Sequence, residues 1–115
     1  MKEEVYFEGL VLHSQDIERL RNFYESLLGT QFKEEQHEKG DRHYACRHHG
    51  VLLELYPSKN VCRSPHLIFE VEGLDSVVER MKDSFKEKFD QPHYKGAKLQ
   101  DPDGRTIVLY ENRKK

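Results

Sequence analysis

Two absences in this 115-residue sequence exclude whole classes of function. There are only two cysteines, Cys46 and Cys62, and they form no Cys-x-x-Cys pair, so neither a zinc knuckle nor a redox motif is indicated. There is also no excess of basic residues, because the formal net charge is −2 and gives no positive field to attract a nucleic-acid backbone. Nucleic acid is therefore not expected as a partner.

Long apolar runs are absent as well. No stretch approaches the roughly 20 residues that a membrane span needs, and the first four residues are not followed by the apolar region of a signal peptide. We expect a cytoplasmic protein with no membrane partner. Both cysteines should be free thiols, because that compartment is reducing.

No Gly/Ser-rich stretch divides the chain into independent parts. Residues 57–60 form the only short connection between its halves. A chain of 115 residues is long enough to bury a core without disulfides. We therefore expect one domain over residues 1–115.

The two halves of the chain repeat each other. Residues 9–13 align with residues 66–70 at an offset of 57, and residues 50–56 align with residues 104–110 at an offset of 54. The repeat predicts two copies of one supersecondary unit. We call them module 1, about residues 5–56, and module 2, about residues 64–112.

Hydrophobic periodicity predicts the order strand, helix and three strands in each module. The most distinct element is a helix over residues 17–28, with Asp16 as N-cap and Gly29 as C-terminal glycine. An Asp-Pro-Asp-Gly run at residues 101–104 predicts a tight turn between the last two strands. The other predicted elements are strands at 5–13, 31–37, 43–48 and 51–56, then strands at 66–71, 91–94, 97–100 and 105–111 with a helix at about 74–85.

Period-two alternation assigns the strand residues to two faces. One face is apolar and should pack against the helices; its residues are Leu10, Leu12, Leu53, Leu55, Leu67, Phe69, Val71, Ile107 and Leu109. The opposite face mixes polar and apolar residues, as a ligand-binding concavity does, and we call it the cleft face. Its predicted residues are Gly9, Val11, His13, Leu52, Glu54, Tyr56, His66, Ile68, Glu70, Thr106, Val108 and Tyr110.

Two segments carry a resemblance to a known family. Residues 16–29, which end in Phe-Tyr-x-x-x-Leu-Gly, and residues 101–111, which begin with Asp-Pro-Asp-Gly, resemble the two signatures of the vicinal oxygen chelate superfamily. This superfamily includes glyoxalase I, bleomycin-resistance proteins, fosfomycin-modifying enzymes and extradiol dioxygenases. The resemblance implies an α+β fold in which two paired βαβββ modules form a curved mixed sheet around a cleft.

The resemblance also implies where a metal would be held. Family enzymes place metal ligands on the first and fourth strands of each module, which correspond here to Gly9, Glu54, His66 and Val108. Glycine and valine supply no ligand, and a catalytic zinc normally has about three protein ligands. We therefore expect no cofactor. The alternative is a divalent metal held by Glu54 and His66 as an incomplete set.

Glu54 and His66 are open to other interpretations. Glu54 lies in an apolar strand, where an unpaired carboxylate is costly, so it should pair with His66 or an arginine, bind a ligand, or act as a general base. His66 is either an exposed residue at a strand start or an acid or base near neutral pH. Both are candidate ligand-binding residues.

Three further residues are candidates for ligand binding. His13 lies on the cleft face where family members contact substrate, although it is also simply a strand-end histidine beside the Asp16 cap. Tyr56 and Tyr110 match across the repeat and either line the cleft or pack their rings into the core. A metal-binding trio of His43, His48 and His49 is not expected, because adjacent residues of a strand point to opposite sides.

These observations leave three functions open. The first is a metal-independent small-molecule-binding protein resembling the bleomycin-resistance branch, a homodimer whose clefts form where modules of two chains meet. The second is a divergent metal-dependent lyase or dioxygenase-like enzyme that uses Glu54 and His66 with a third ligand such as His13 or Glu111. The third is a non-catalytic partner-binding domain.

Overall fold

The computed structural model describes residues 3–37 and 39–113. The elements of module 1 are β1 (Gly9–Ser14), α1 (Ile17–Leu28), β2 (Lys33–Glu35), β3 (His43–His48) and β4 (Val51–Pro57). Those of module 2 are β5 (Leu67–Glu70), α2 (Leu74–Arg80), a 3₁₀ turn (Lys82–Ser84), β6 (Phe85–Asp90), β7 (Tyr94–Gln100) and β8 (Thr106–Asn112).

The strands form two sheets with the same topology. Their orders are β1-β4-β3-β2 and β5-β8-β7-β6, with β1 parallel to β4 and β5 parallel to β8. All other pairs are antiparallel. This equivalence confirms the predicted α+β fold of two βαβββ modules.

Helix α1 has the predicted limits. The Asp16 carboxylate accepts the backbone N–H of Arg19, and Gly29 ends the helix in the left-handed conformation (φ 69°), which glycine adopts without steric cost. One apolar stripe of the helix is buried, and its residues are Ile17, Leu20, Phe23, Tyr24 and Leu27. Leu28 is partly buried against the same core.

The second helix is shorter than predicted. It ends at Arg80 rather than near residue 85, and Phe85 begins strand β6, where it pairs with Leu99. Residues 91–94 were predicted as a strand, which was wrong, because they contain the turn between β6 and β7. The spacing of Met81 and Phe85 fits a helix, but both side chains also reach the core from a 3₁₀ turn followed by a strand. No glycine marks the end of α2 as Gly29 marks the end of α1.

The core lies between each sheet and its helix, on the face predicted to be apolar. Of that set, Leu12, Leu53, Leu55, Ile107 and Leu109 are buried, and Leu10, Leu67, Phe69 and Val71 are partly buried against them. Neither helix of the described ranges is long and apolar enough to cross a membrane.

A buried polar network joins the two modules. Arg105 is fully buried, and its guanidinium donates to the carboxylates of Asp101 and Asp103 and to the backbone carbonyls of His13 and Ser64. Tyr24 of α1 donates its hydroxyl to Asp101 over 2.7 Å. The Asp-Pro-Asp-Gly turn therefore holds the end of β1 and places His13 at the cleft face.

Candidate functional site

The cleft face of module 1 carries a group of polar side chains that meet across three strands. Glu35 lies opposite His43 in the β2–β3 pair, and Glu54 and Tyr56 follow along β4. We call Glu35, His43, Glu54 and Tyr56 the cleft cluster. Its side chains project from the face that does not pack against α1, so the core does not require them.

His43 is the centre of the cleft cluster and is fully buried. Its Nδ1 lies 3.0 Å from the backbone carbonyl of Asp41, which can only accept, so Nδ1 carries a proton. Its Nε2 lies 3.3 Å from Glu35 Oε1 and 3.7 Å from Glu54 Oε2. The second ring nitrogen therefore faces two carboxylates.

Tyr56 packs against His43 and completes the cleft cluster. The two rings stack with centroids 4.1 Å apart and an interplanar angle of 11°. The Tyr56 hydroxyl lies 3.3 Å from His43 Nε2. Burial, together with the negative charge of Glu54, raises the pKa of Tyr56, so its phenol stays protonated and can donate.

The predicted candidates divide between the two modules. His13, Glu54 and Tyr56 lie together, since the His13 and Tyr56 rings are 6.3 Å apart. His66 is exposed just before β5, and Tyr110 contacts Tyr94 in module 2. Within residues 3–37 and 39–113, the ion-pair partner of Glu54 is His43, and not His66 or an arginine.

Sequence reasoning missed Glu35 and His37. The ligand atoms of Glu35, His37 and His43 all lie within 4.8 Å of one another. Glu35 pairs with His43 across the hairpin that joins the strands predicted at residues 31–37 and 43–48. His43 and His48 occupy opposite ends of β3, so they do not act together.

Two cavities adjoin these strands. One, of about 300 Å³, continues from the cleft cluster through Glu35, and its lining includes Lys33, Ala45, Arg47 and Leu52. The other, of about 330 Å³, is apolar and lies between the modules on the helix side; its lining includes Leu10, Leu28, Leu53, Leu67 and Phe69. The first cavity has charged groups that can orient a ligand, and the second offers mainly aliphatic surface.

The sequence matches no protein-family model and no curated protein. Solved structures do match. A glyoxalase-related enzyme from Clostridium phytofermentans superposes with a TM-score of 0.70 at 14% identity, covering 96% of this chain and 98% of the other. A mutant of the fosfomycin resistance protein FosX from Listeria monocytogenes, complexed with Mn(II) and 1S,2S-dihydroxypropylphosphonic acid, gives 0.76 at 13% identity, with 96% and 93% covered.

An integron cassette protein from the mobile metagenome of V. cholerae is also similar, with a TM-score of 0.67 at 22% identity over 96% of this chain and 98% of that one. The chain has the vicinal oxygen chelate fold. At these identities the likeness concerns the fold, so the activity must be argued from the site.

The metal positions that the vicinal oxygen chelate fold implies do not fit this chain. A Cβ atom placed on Gly9 would lie 2.0 Å from the Leu52 carbonyl oxygen, so the backbone closes this position to any side chain. Val108 offers no donor atom. Glu54 and His66 remain, but Glu54 is engaged with His43. The four metal positions of the family therefore cannot together hold an ion in this chain.

Proposed function

We propose that this protein binds a small organic molecule on the cleft face of module 1, without a metal at the four family positions. The observation that carries the proposal is the cleft cluster itself, in which a buried imidazole, two carboxylates and a phenol lie together, and in which Glu35 lines a cavity of about 300 Å³.

The energetics of burial support this function. Burying the His43 imidazole, and most of the Glu54 carboxylate with it, costs free energy that their mutual contact repays only in part. The cleft cluster lies away from the helix, so it adds nothing to the packed core. Polar groups held in fixed positions at the mouth of a cavity are what orients a ligand in a binding site.

We propose further that the protein is a homodimer. The N-terminal segment before β1 exposes Val5, Tyr6 and Phe7 at 97, 76 and 77%. The radius of gyration is 15.8 Å, whereas a compact domain of this length has about 13 Å. A second copy covering this segment would bury its apolar surface, and sedimentation should then give twice the chain mass of 13.7 kDa.

A second candidate function is a metal-dependent lyase or dioxygenase-like enzyme that uses Glu54 and His66. It is favoured by the fold shared with FosX, whose structure was obtained with Mn(II). The closed position at Gly9 argues against it. A partner-binding domain with a filled cleft is less favoured, because the cleft face retains a cavity of about 300 Å³.

The proposal is tested by a thermal-shift screen of small organic compounds, with calorimetric titration of each hit. Glu54→Gln should weaken binding by about 10–150-fold, the equivalent of one hydrogen bond to a charged group of about 1.5–3 kcal/mol. Glu87→Gln is the matched control, because Glu87 is exposed on β6. Hits that bind wild type and Glu54→Gln equally would contradict the proposal.

A further inference from the structure

We propose that Glu35, His37 and His43 form a divalent metal site on the β2–β3 hairpin. None of the three belongs to the set of positions that the fold family implies. The proposed site adjoins the cavity of the proposed ligand, but it does not depend on an organic ligand being bound.

The ligand atoms of Glu35, His37 and His43 all lie within 4.8 Å of one another. Zinc lies about 2.0–2.2 Å from nitrogen and oxygen ligands, which places two tetrahedral donors roughly 3.3–3.6 Å apart. His43 Nε2 lies 3.3 Å from Glu35 Oε1, and His37 Nε2 lies 3.7 Å from the same oxygen. Since His37 is exposed, its ring can turn towards the other two donors.

The orientation of His43 gives the second argument. The Asp41 carbonyl engages Nδ1, so Nε2 is the ring nitrogen that faces the cluster and can ligate. A carbonyl that orients a ligating histidine in this way is a regular feature of protein metal sites. A metal ion at Nε2 would engage the Glu35 carboxylate and His37 together with His43.

The donor set selects the class of metal. Two imidazoles and one carboxylate suit zinc and its first-row neighbours, while Ca²⁺ and Mg²⁺ take oxygen ligands. The Glu54 carboxylate, 3.7 Å from His43 Nε2, adds a second negative charge beside a divalent ion. His37 lies at the exposed side of the site, which gives the ion a path from solvent.

The test uses the chain without an affinity tag, freed of metal by a chelator and titrated with Zn²⁺ alone by calorimetry. We expect one ion per chain. Co²⁺ should give the intense visible absorption of a tetrahedral site. Glu35→Gln, His37→Ala and His43→Gln should each weaken binding at least about tenfold, since even supporting groups of metal sites cost 10–100-fold.

His66→Ala and His93→Ala are the controls, because both histidines are exposed in module 2. They should bind Zn²⁺ as wild type does. Loss of binding in His66→Ala with binding kept in His43→Gln would overturn the proposal in favour of the family positions, and so would the absence of stoichiometric binding.

If circular dichroism shows that His43→Gln is unfolded, Glu35→Gln and His37→Ala decide the question, because neither residue is buried.

Tyr56→Phe gives a further test of the donor set. The Tyr56 hydroxyl competes for the Nε2 lone pair, so its removal should leave Zn²⁺ affinity unchanged or raise it. A fall in Zn²⁺ affinity would contradict the assigned donor set. Organic ligand binding is measured separately on metal-free protein, so failure of one proposal leaves the other testable.

Discussion

Replacing Gly9 by alanine should destabilise the fold strongly, although the change adds only one methyl group. The new Cβ would lie 2.0 Å from the Leu52 carbonyl oxygen and 2.7 Å from the Leu52 carbonyl carbon, whereas ordinary contacts begin at 3.4 Å. Strands β1 and β4 must therefore separate by more than about 1 Å, judged from ordinary packing distances. The movement strains the hydrogen bond from Leu52 N–H to the Glu8 carbonyl, which spans 2.9 Å.

Overpacking of this kind costs about 1–3 kcal/mol. For a chain of this size that lowers Tm by roughly 4–12 °C. Differential scanning calorimetry of Gly9→Ala measures the loss. Gly40→Ala is the matched control, because its nearest atom, the His37 carbonyl oxygen, is 3.6 Å away. If Gly9→Ala has the same Tm as Gly40→Ala and wild type, the backbone leaves room for a side chain at position 9, and a metal ligand is not excluded there.

One further substitution and one labelling experiment test the packing of the core. Tyr24→Phe removes the buried hydrogen bond to Asp101 and should cost about 1–3 kcal/mol in urea unfolding, whereas Tyr6→Phe, at an exposed position, should cost nothing measurable. Burial, with the charge of nearby Glu25, raises the pKa of the Cys46 thiol, so little thiolate forms at neutral pH. Iodoacetamide followed by mass spectrometry should modify Cys46 only after unfolding, and rapid labelling of Cys46 in the folded protein would contradict its placement.

The repeat made the fold predictable. Strands β1 and β4 and helix α1 were predicted because alternation, a capping aspartate and a terminal glycine all point to the same structure. The end of α2 was not predictable, because apolar residues four apart suit a helix and also a turn that leads into a strand.

The site was predictable only in part. Alternation placed His13, Glu54 and Tyr56 on one face, and the structure brings them together. Glu35 and His37 were missed because their proximity to His43 depends on the register of the β2–β3 hairpin, which a broad strand prediction at residues 31–37 did not specify. The closure at Gly9 depends on a contact with β4 and leaves no mark on the sequence pattern.

We expect this chain to bind a metal ion at Glu35, His37 and His43, and not at the metal positions that the fold family implies. Anomalous diffraction at the zinc edge, from crystals grown with Zn²⁺, tests it most directly. We expect one peak among Glu35, His37 and His43. A peak between Glu54 and His66, or none at all on the cleft face of module 1, would contradict it.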